Sequence, residues 1–303
     1  MTAPGSADEV LQPVDIPAPE ITRPGQIRVQ LRAAGVNPID TKLRSRGIFY
    51  PDGLPAILGC DGAGIVTDTG SEVTGLRPGD AVWFCHGGLG GAPGNYAEFT
   101  VLEQAVACRM PASLDFTAAA ALPLVAITAW EALFDRAGLG DGQTVLIHAG
   151  AGGVGHVAIQ LARSVGARVA TTVSTAAKAE FVRELGAEKI IDYRTQDVTA
   201  QIMDWTGGRG VDVVLDTVGG ETFRQSLSAA RVYGHVVTLL DPGTDVAWKT
   251  ARDRNLSIAF TLMLTPMLQD LPDARHHQGE ILQRCAQLVE TGQLTPHVKS
   301  TLP

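Results

Sequence analysis

This chain has no run of apolar residues long enough to cross a bilayer, which takes about 20 in succession. Its opening, MTAPGSADEV, lacks a charged segment followed by an apolar one, so no secretory signal is read there. Cysteine is scarce. Cys60, Cys85, Cys108 and Cys285 are scattered, with no C-x-x-C spacing and no disulfide pattern, which suits a reducing cytoplasm. Positive charge is outweighed as well: 24 Lys and Arg face 32 Asp and Glu, and a net charge of −8 argues against nucleic acid as main partner. A local basic pocket for one phosphate stays open. Solenoid periods and low-complexity tracts are missing too. What remains is 45% hydrophobic and 18% charged, the composition of a globular chain, and 303 residues point to two domains.

The stretch Val145-Leu146-Ile147-His148-Ala149-Gly150-Ala151-Gly152-Gly153-Val154-Gly155 organises the chain. Apolar residues predict a buried strand, Gly150, Gly152 and Gly155 give G-x-G-x-x-G, and Val154, Ala158, Leu161, Ala162 and Val165 share one helical face. Glycine serves three ends here: a tight turn, close approach of backbone to a pyrophosphate, and close packing of helix on strand. Phosphate then meets the free N–H groups of a helix N-terminus. Dinucleotide binding by Gly150, Gly152, Gly153, Val154 and Gly155 is therefore expected.

The rest falls in order. Residues 1–26, with five prolines, predict an irregular lead-in. Ile27–Arg32 alternates as a half-buried strand does. Ala34–Asp40 breaks it as a loop, with Pro38 forcing Asn37 out of helical geometry. Short strands punctuated by turns follow between Leu58 and Phe99, as in a small barrel or sandwich. Phe116–Leu122 and Ile127–Ala137 predict helices. Strands then recur at Arg168–Val173, Lys189–Asp192, Val211–Thr217, His235–Leu240 and Leu256–Thr261, mostly with helices between. That alternation is a doubly wound parallel sheet. Gly279–Thr291 predicts a last amphipathic helix.

A β-rich front, N-P-I-D-T at Asn37–Thr41, G-N-Y-A-E-F at Gly94–Phe99, I-T-A-W at Ile127–Trp130 and then A-G-A-G-G-V-G together resemble the medium-chain dehydrogenase/reductase superfamily. Within it, the chain is most similar to the zinc-free, ζ-crystallin-like quinone oxidoreductase branch. The resemblance implies a GroES-like substrate domain over 1–122, completed by 266–303, and a Rossmann NADP-binding domain over 123–265, with the active site in the cleft between them. It implies reduction, with NADPH, of quinones or of the C=C bond of α,β-unsaturated carbonyl compounds. Members usually carry a strand ahead of the segment Val10–Ile16, and a helix and strand beyond Thr301; neither is visible in this sequence.

An NAD site usually has Asp or Glu after the second Rossmann strand. Val169–Thr175 has neither; Ser174, Thr175 and Lys178 offer hydroxyls and a positive charge instead, which suits a 2′-phosphate and hence NADPH. The resemblance assigns that phosphate to a lysine at this place and to a tyrosine, here Tyr193. Asp216, Leu239 and Phe260 complete the expected cofactor set.

Zinc-dependent members of the superfamily need a thiolate on the first loop, a His-Glu pair near residue 60 and a thiolate near residue 126. Asn37, Cys60-Asp61 and Val125-Ala126 stand there, and three protein ligands are the minimum for catalytic zinc, so none is expected. In the branch the N-P-x-D loop lines the substrate pocket. Asn37 is then an amide donor to a developing enolate oxygen. Asp40 has two readings, pocket lining or fixing the loop through backbone N–H groups. Lys42 stands where the branch has tyrosine. A proton-donating tyrosine of related enoyl reductases falls on Phe49 or Tyr50, of which only Tyr50 has a hydroxyl, and Thr128 fits the threonine that approaches the nicotinamide.

The expected reaction is hydride transfer from NADPH to a small electrophilic substrate, the cofactor supplying the reductant. The alternatives are a zinc-type alcohol dehydrogenase and a non-catalytic NADPH-binding protein. Homodimerisation through the sheet edge around Leu256–Leu264 is implied by the resemblance.

Overall fold

The computed structural model describes residues 1–302, and the chain forms two compact units, Met1–Ile127 with Leu264–Pro303, and Thr128–Met263. These divisions stand beside the expected boundaries at 122/123 and 265/266.

The first unit opens with a four-residue helix α1 (Ala7–Val10) inside the stretch expected to be irregular. Strands β1 (Gln26–Gly35), β2 (Asp61–Thr69), β3 (Ala81–Cys85), β4 (Phe99–Glu103) and β5 (Ala107–Arg109) form an antiparallel sheet in the order β4-β1-β2-β3-β5. Alternation places Ile27, Val29, Val66, Val82, Phe84 and Leu102 in one core. Between β1 and β2 runs α2 (Pro38–Arg46), where a loop was expected. The local chemistry explains it. Asn37 is extended (φ −113°, ψ 158°), as a residue before proline must be. Pro38 opens the helix, where a missing N–H costs nothing, and the Asp40 carboxylate accepts the Asn37 backbone N–H at 2.8 Å. Helix α3 (Phe116–Ala120) is capped by the Asp115 carboxylate, which accepts from the Ala118 N–H at 2.7 Å.

The helix expected over Ile127–Ala137 is α4 (Pro123–Trp130) followed by a π-helical stretch, Glu131–Arg136. In the second unit, β6 (Thr144–Ile147), α5 (Gly153–Ser164), β7 (Arg168–Val173), α6 (Ala176–Glu184), β8 (Lys189–Asp192), α7 (Val198–Trp205), β9 (Val211–Asp216), α8 (Glu221–Ala229), β10 (Ala230–Thr238), α9 (Trp248–Asp253) and β11 (Ser257–Phe260) alternate. All pairings are parallel, in the order β11-β10-β9-β6-β7-β8. Every residue of β6 is buried, as a central parallel strand requires. The winding reverses between β6 and β9, so the switch point at their C-terminal ends opens the crevice where such sheets bind ligands. The chain then returns to the first unit through α10 (Thr265–Leu268) and α11 (Pro272–Glu290). Helix α11 starts seven residues before the amphipathic stretch read from the sequence.

Candidate functional site

At the switch point the glycines divide their labour as the motif requires. A Cβ on Gly155 would lie 2.4 Å from the Ala149 carbonyl oxygen, and one on Gly150 2.0 Å from Thr171 Oγ1. Both are contacts that only glycine permits. Gly152, the N-cap of α5, is looser, with its nearest neighbour at 3.1 Å, and Gly153 and Val154 follow it into the helix. The turn is made by Ala149, whose φ of 52° is left-handed, a strain absent from the glycine reading. Thr217 Oγ1 donates to the His148 carbonyl at 2.9 Å, tying the ends of β6 and β9 together. This cradle fits a pyrophosphate: its shape depends on missing side chains, and it faces the start of α5.

Ser174 follows β7 and Tyr193 follows β8. Lys178 Nζ donates to Ser174 Oγ at 3.3 Å, and Arg194 Nε donates to the Ser174 carbonyl at 2.9 Å. Lys178, Tyr193 and Arg194 are all exposed. Two cations and a hydroxyl therefore gather where an NAD site would place a carboxylate. Arg194 is the member that the sequence reading passed over, although it adjoins Tyr193. Leu239 follows β10 and Phe260 ends β11, across the switch point from β7 and β8, and Phe260 is 57% exposed. Asp216 is different. Its carboxylate, fully buried, accepts from the Val218 and Gly219 N–H groups and from Thr238 Oγ1, all within 3.1 Å. Its oxygens hold the turn after β9, the turn that follows the switch-point strand.

In the first unit Asn37, Asp40, Cys60, Asp61 and Cys85 form a buried polar cluster, with the exposed Tyr96 at its rim. Asn37 Nδ2 donates to Asp61 Oδ2 at 2.8 Å, and the Leu124 N–H donates to Asp61 Oδ1 at 2.9 Å. Tyr96 Oη donates to Asp40 Oδ2 at 3.2 Å. The bond from the Asn37 N–H is the one expected of Asp40 as the residue that fixes the loop. Burial pushes Asp61 up to about 7, with the Asn37 amide opposing and the Asp40 charge adding. Burial likewise raises Asp40 against its hydrogen bonds, and raises the thiols of Cys60 and Cys85. Tyr96 and Asn95 come from the G-N-Y-A-E-F motif, which signalled family but not site. Asn95 Nδ2 reaches the carbonyls of Gly59, Cys60 and His86 within 3.2 Å, and Gly59 leaves room for the Tyr96 ring, 2.6 Å from where a Cβ would stand.

The remaining candidates do not join this cluster. Lys42 lies on the exposed side of α2, whose buried residues are Asp40 and Leu43, so helical periodicity turns it away from them. Tyr50 is 39% exposed and its hydroxyl donates to the Leu268 carbonyl at 3.2 Å. Thr128 is buried in α4. Among the described residues, no three His, Cys, Asp or Glu side chains converge so as to hold a metal ion. Zinc does not fit the cluster, where Asp61 already spends both oxygens on N–H donors.

An antiparallel sheet in one unit and a doubly wound parallel sheet in the other define a two-domain dehydrogenase/reductase. The alcohol dehydrogenase GroES-like domain matches residues 23–112, and the zinc-binding dehydrogenase family matches residues 153–268. The chain belongs to the medium-chain dehydrogenase/reductase superfamily, in its quinone oxidoreductase branch. It is 40% identical over 215 residues to a quinone oxidoreductase of Pseudomonas aeruginosa, covering 71% of this chain and 65% of that one. It thus spans slightly under two thirds of that relative. A 2-haloacrylate reductase of a Burkholderia species is 34% identical over 92% of this chain and 84% of its own length. The structure of Escherichia coli quinone oxidoreductase complexed with NADPH superposes with a TM-score of 0.83 at 32% identity, over 98% of this chain and 89% of that one.

Proposed function

We propose that this protein is an NADPH-dependent reductase acting on a quinone or on the C=C bond of a small α,β-unsaturated carbonyl compound. The observation that carries the cofactor choice is the cluster of Ser174, Lys178 and Arg194 beyond β7, with no acidic residue among Val169–Thr175. Two cations and a hydroxyl complement a 2′-phosphate, and a carboxylate there would repel it. Relatives named for quinone and 2-haloacrylate reduction support the choice of acceptor.

When bound, NADPH supplies the hydride. The N–H groups at the start of α5 hold its pyrophosphate, and Lys178, Arg194 and Ser174 hold the 2′-phosphate. On the substrate side no metal ligand is needed: oxyanion stabilisation falls to amide donors, and Asn37 is the candidate. One of its two amide hydrogens is spent on Asp61, which fixes the direction of the other. Tyr50, whose hydroxyl donates to the Leu268 carbonyl and would have to turn from it, is the proton donor proposed for enones. Copies of the chain pair along the β11 edge, where Phe260 and Leu262 are 57% and 54% exposed.

The test is NADPH consumption by the purified chain against quinones, enals and 2-haloacrylates, before and after treatment with chelators. Turnover that survives chelation supports the reading. Tight NADPH binding without turnover on any of them would make the protein a cofactor-binding module instead.

A further inference from the structure

The loop after β3 is rich in glycine. Gly87, Gly88 and Gly90 have φ of 70°, 80° and 99°, and a Cβ on Gly87 would lie 2.0 Å from the Pro93 carbonyl oxygen. So folded, the loop bounds a cavity of about 60 Å³ with Tyr50, His86, Leu89, Met267 and Arg275 among its walls. Arg275 stands in the first turns of α11, and its Nη2 donates to His86 Nδ1 at 2.6 Å. Burial, together with the charge of Arg275, holds His86 down to about 3, so the ring is neutral. The arginine therefore meets a neutral acceptor. Among the described residues no carboxylate lies within ion-pair distance of it, and Asp270 and Glu103 act on it only from further off, with Arg23 opposing them.

A guanidinium carries five N–H donors in a planar fork and stays charged even when desolvated. His86 takes one. The rest belong to a half-buried cation with no carboxylate in ion-pair contact, on the wall of a cavity whose other sides include Leu89, Met267 and the Tyr50 ring. A half-buried cation with no paired anion is costly, and an incoming anion would remove that cost. The volume admits a carboxylate with a short carbon chain.

We propose that this cavity is a carboxylate subsite, in which Arg275 takes the carboxylate of a small conjugated acid while Leu89 and Met267 face its carbons. The identity of the acid as substrate rests on the reductase reading; the binding of the carboxylate does not. Arg275 is the specificity-determining residue of this subsite, and the bidentate fit of its fork to two carboxylate oxygens sets it apart from a lysine.

The experiment is calorimetric titration of the full chain, without cofactor, with acrylate and with acrylamide, its neutral counterpart of the same shape. Acrylate should bind at least tenfold more tightly than acrylamide, on the order of the gain from a charge-assisted pair. Arg275→Met should abolish that difference, and Arg275→Lys should keep part of it. Equal binding of both probes by the unaltered chain, or an unchanged preference in Arg275→Met, overturns the proposal. Because Arg275→Met also strips His86 of its partner, a second readout uses the unaltered chain: the His86 Nδ1 resonance should move with acrylate and not with acrylamide. A stationary resonance with acrylate bound overturns the proposal too. The two readings fail separately. Acrylate bound through Arg275, with no turnover on quinones, enals or 2-haloacrylates, would keep the subsite and sink the reductase; reduction of a 2-haloacrylate at equal kcat/KM in the unaltered chain and in Arg275→Met would do the reverse.

Discussion

The Asn37 amide donates to the carboxylate of Asp61 at 2.8 Å, across 24 positions of sequence, with both side chains buried. This bond joins the start of α2 to the start of β2, and it makes the residue proposed to stabilise substrate charge depend on a second, buried acid.

Asn37→Ala should therefore act twice. It removes a donor from a buried carboxylate, costing about 1–3 kcal/mol of stability. If the remaining amide hydrogen serves the reaction, kcat and kcat/KM should fall together by about 10²-fold. Denaturant melts beside steady-state kinetics check both. A raised KM at unchanged kcat would reduce Asn37 to a binding residue.

The glycines of the nucleotide turn should rank by the space around them. Gly155→Ala places a methyl 2.4 Å from a backbone oxygen and should lower both stability and NADPH affinity. Gly152→Ala meets its nearest atom at 3.1 Å and should fold almost normally while binding NADPH more weakly. Melting temperatures with and without cofactor check the order. Equal destabilisation by the two would refute it.

His148 is buried, with Nε2 3.2 Å from Ser226 Oγ, and burial lowers it to about 4, the Asp216 charge opposing. Its folded pKa lies below the unfolded value of about 6.5, so the unfolded chain binds the proton first. The stability it contributes is whole above about pH 6.5 and is lost as pH falls toward 4. His148→Asn should flatten that part of the stability–pH curve. An unchanged slope would show that His148 is not responsible.

Leu262→Lys should give a monomer by light scattering if copies pair along the β11 edge. A dimer that persists, or a monomeric parent chain, would contradict that arrangement.

Much of the second unit was legible in the sequence because parallel strands buried on both faces read as apolar runs. Lys189–Asp192 and Arg168–Val173 have the bounds read from the sequence as recurring apolar strands. Helix α7 was not named, since Val198–Trp205 mixes polar residues into a short amphipathic face. The site was legible in part. Lys178 could be read because a cation replaces an expected acid, a local signal. What Asp216 does in the fold was not legible, since only the tertiary turn shows the N–H groups that its oxygens accept from. Helix α2 was hidden because N-P reads as a break, while the capping role of Asp40 needs three-dimensional registration with Asn37. Asp61, Tyr96 and Arg275 lay outside the sequence reading for the same reason: each takes its role from a partner at least 24 residues away.

The central claim, reduction with NADPH, meets its most direct test in kcat/KM for NADPH and for NADH at a saturating enal or quinone, in the parent chain and in the Lys178→Ala, Arg194→Ala double variant. Each lost charge-assisted bond is worth roughly 1–3 kcal/mol, so the parent should favour NADPH by at least about 10²-fold. The double variant should lose most of that preference with NADH kinetics nearly unmoved. Equal use of both cofactors by the parent, or equal losses for both in the variant, would contradict the account.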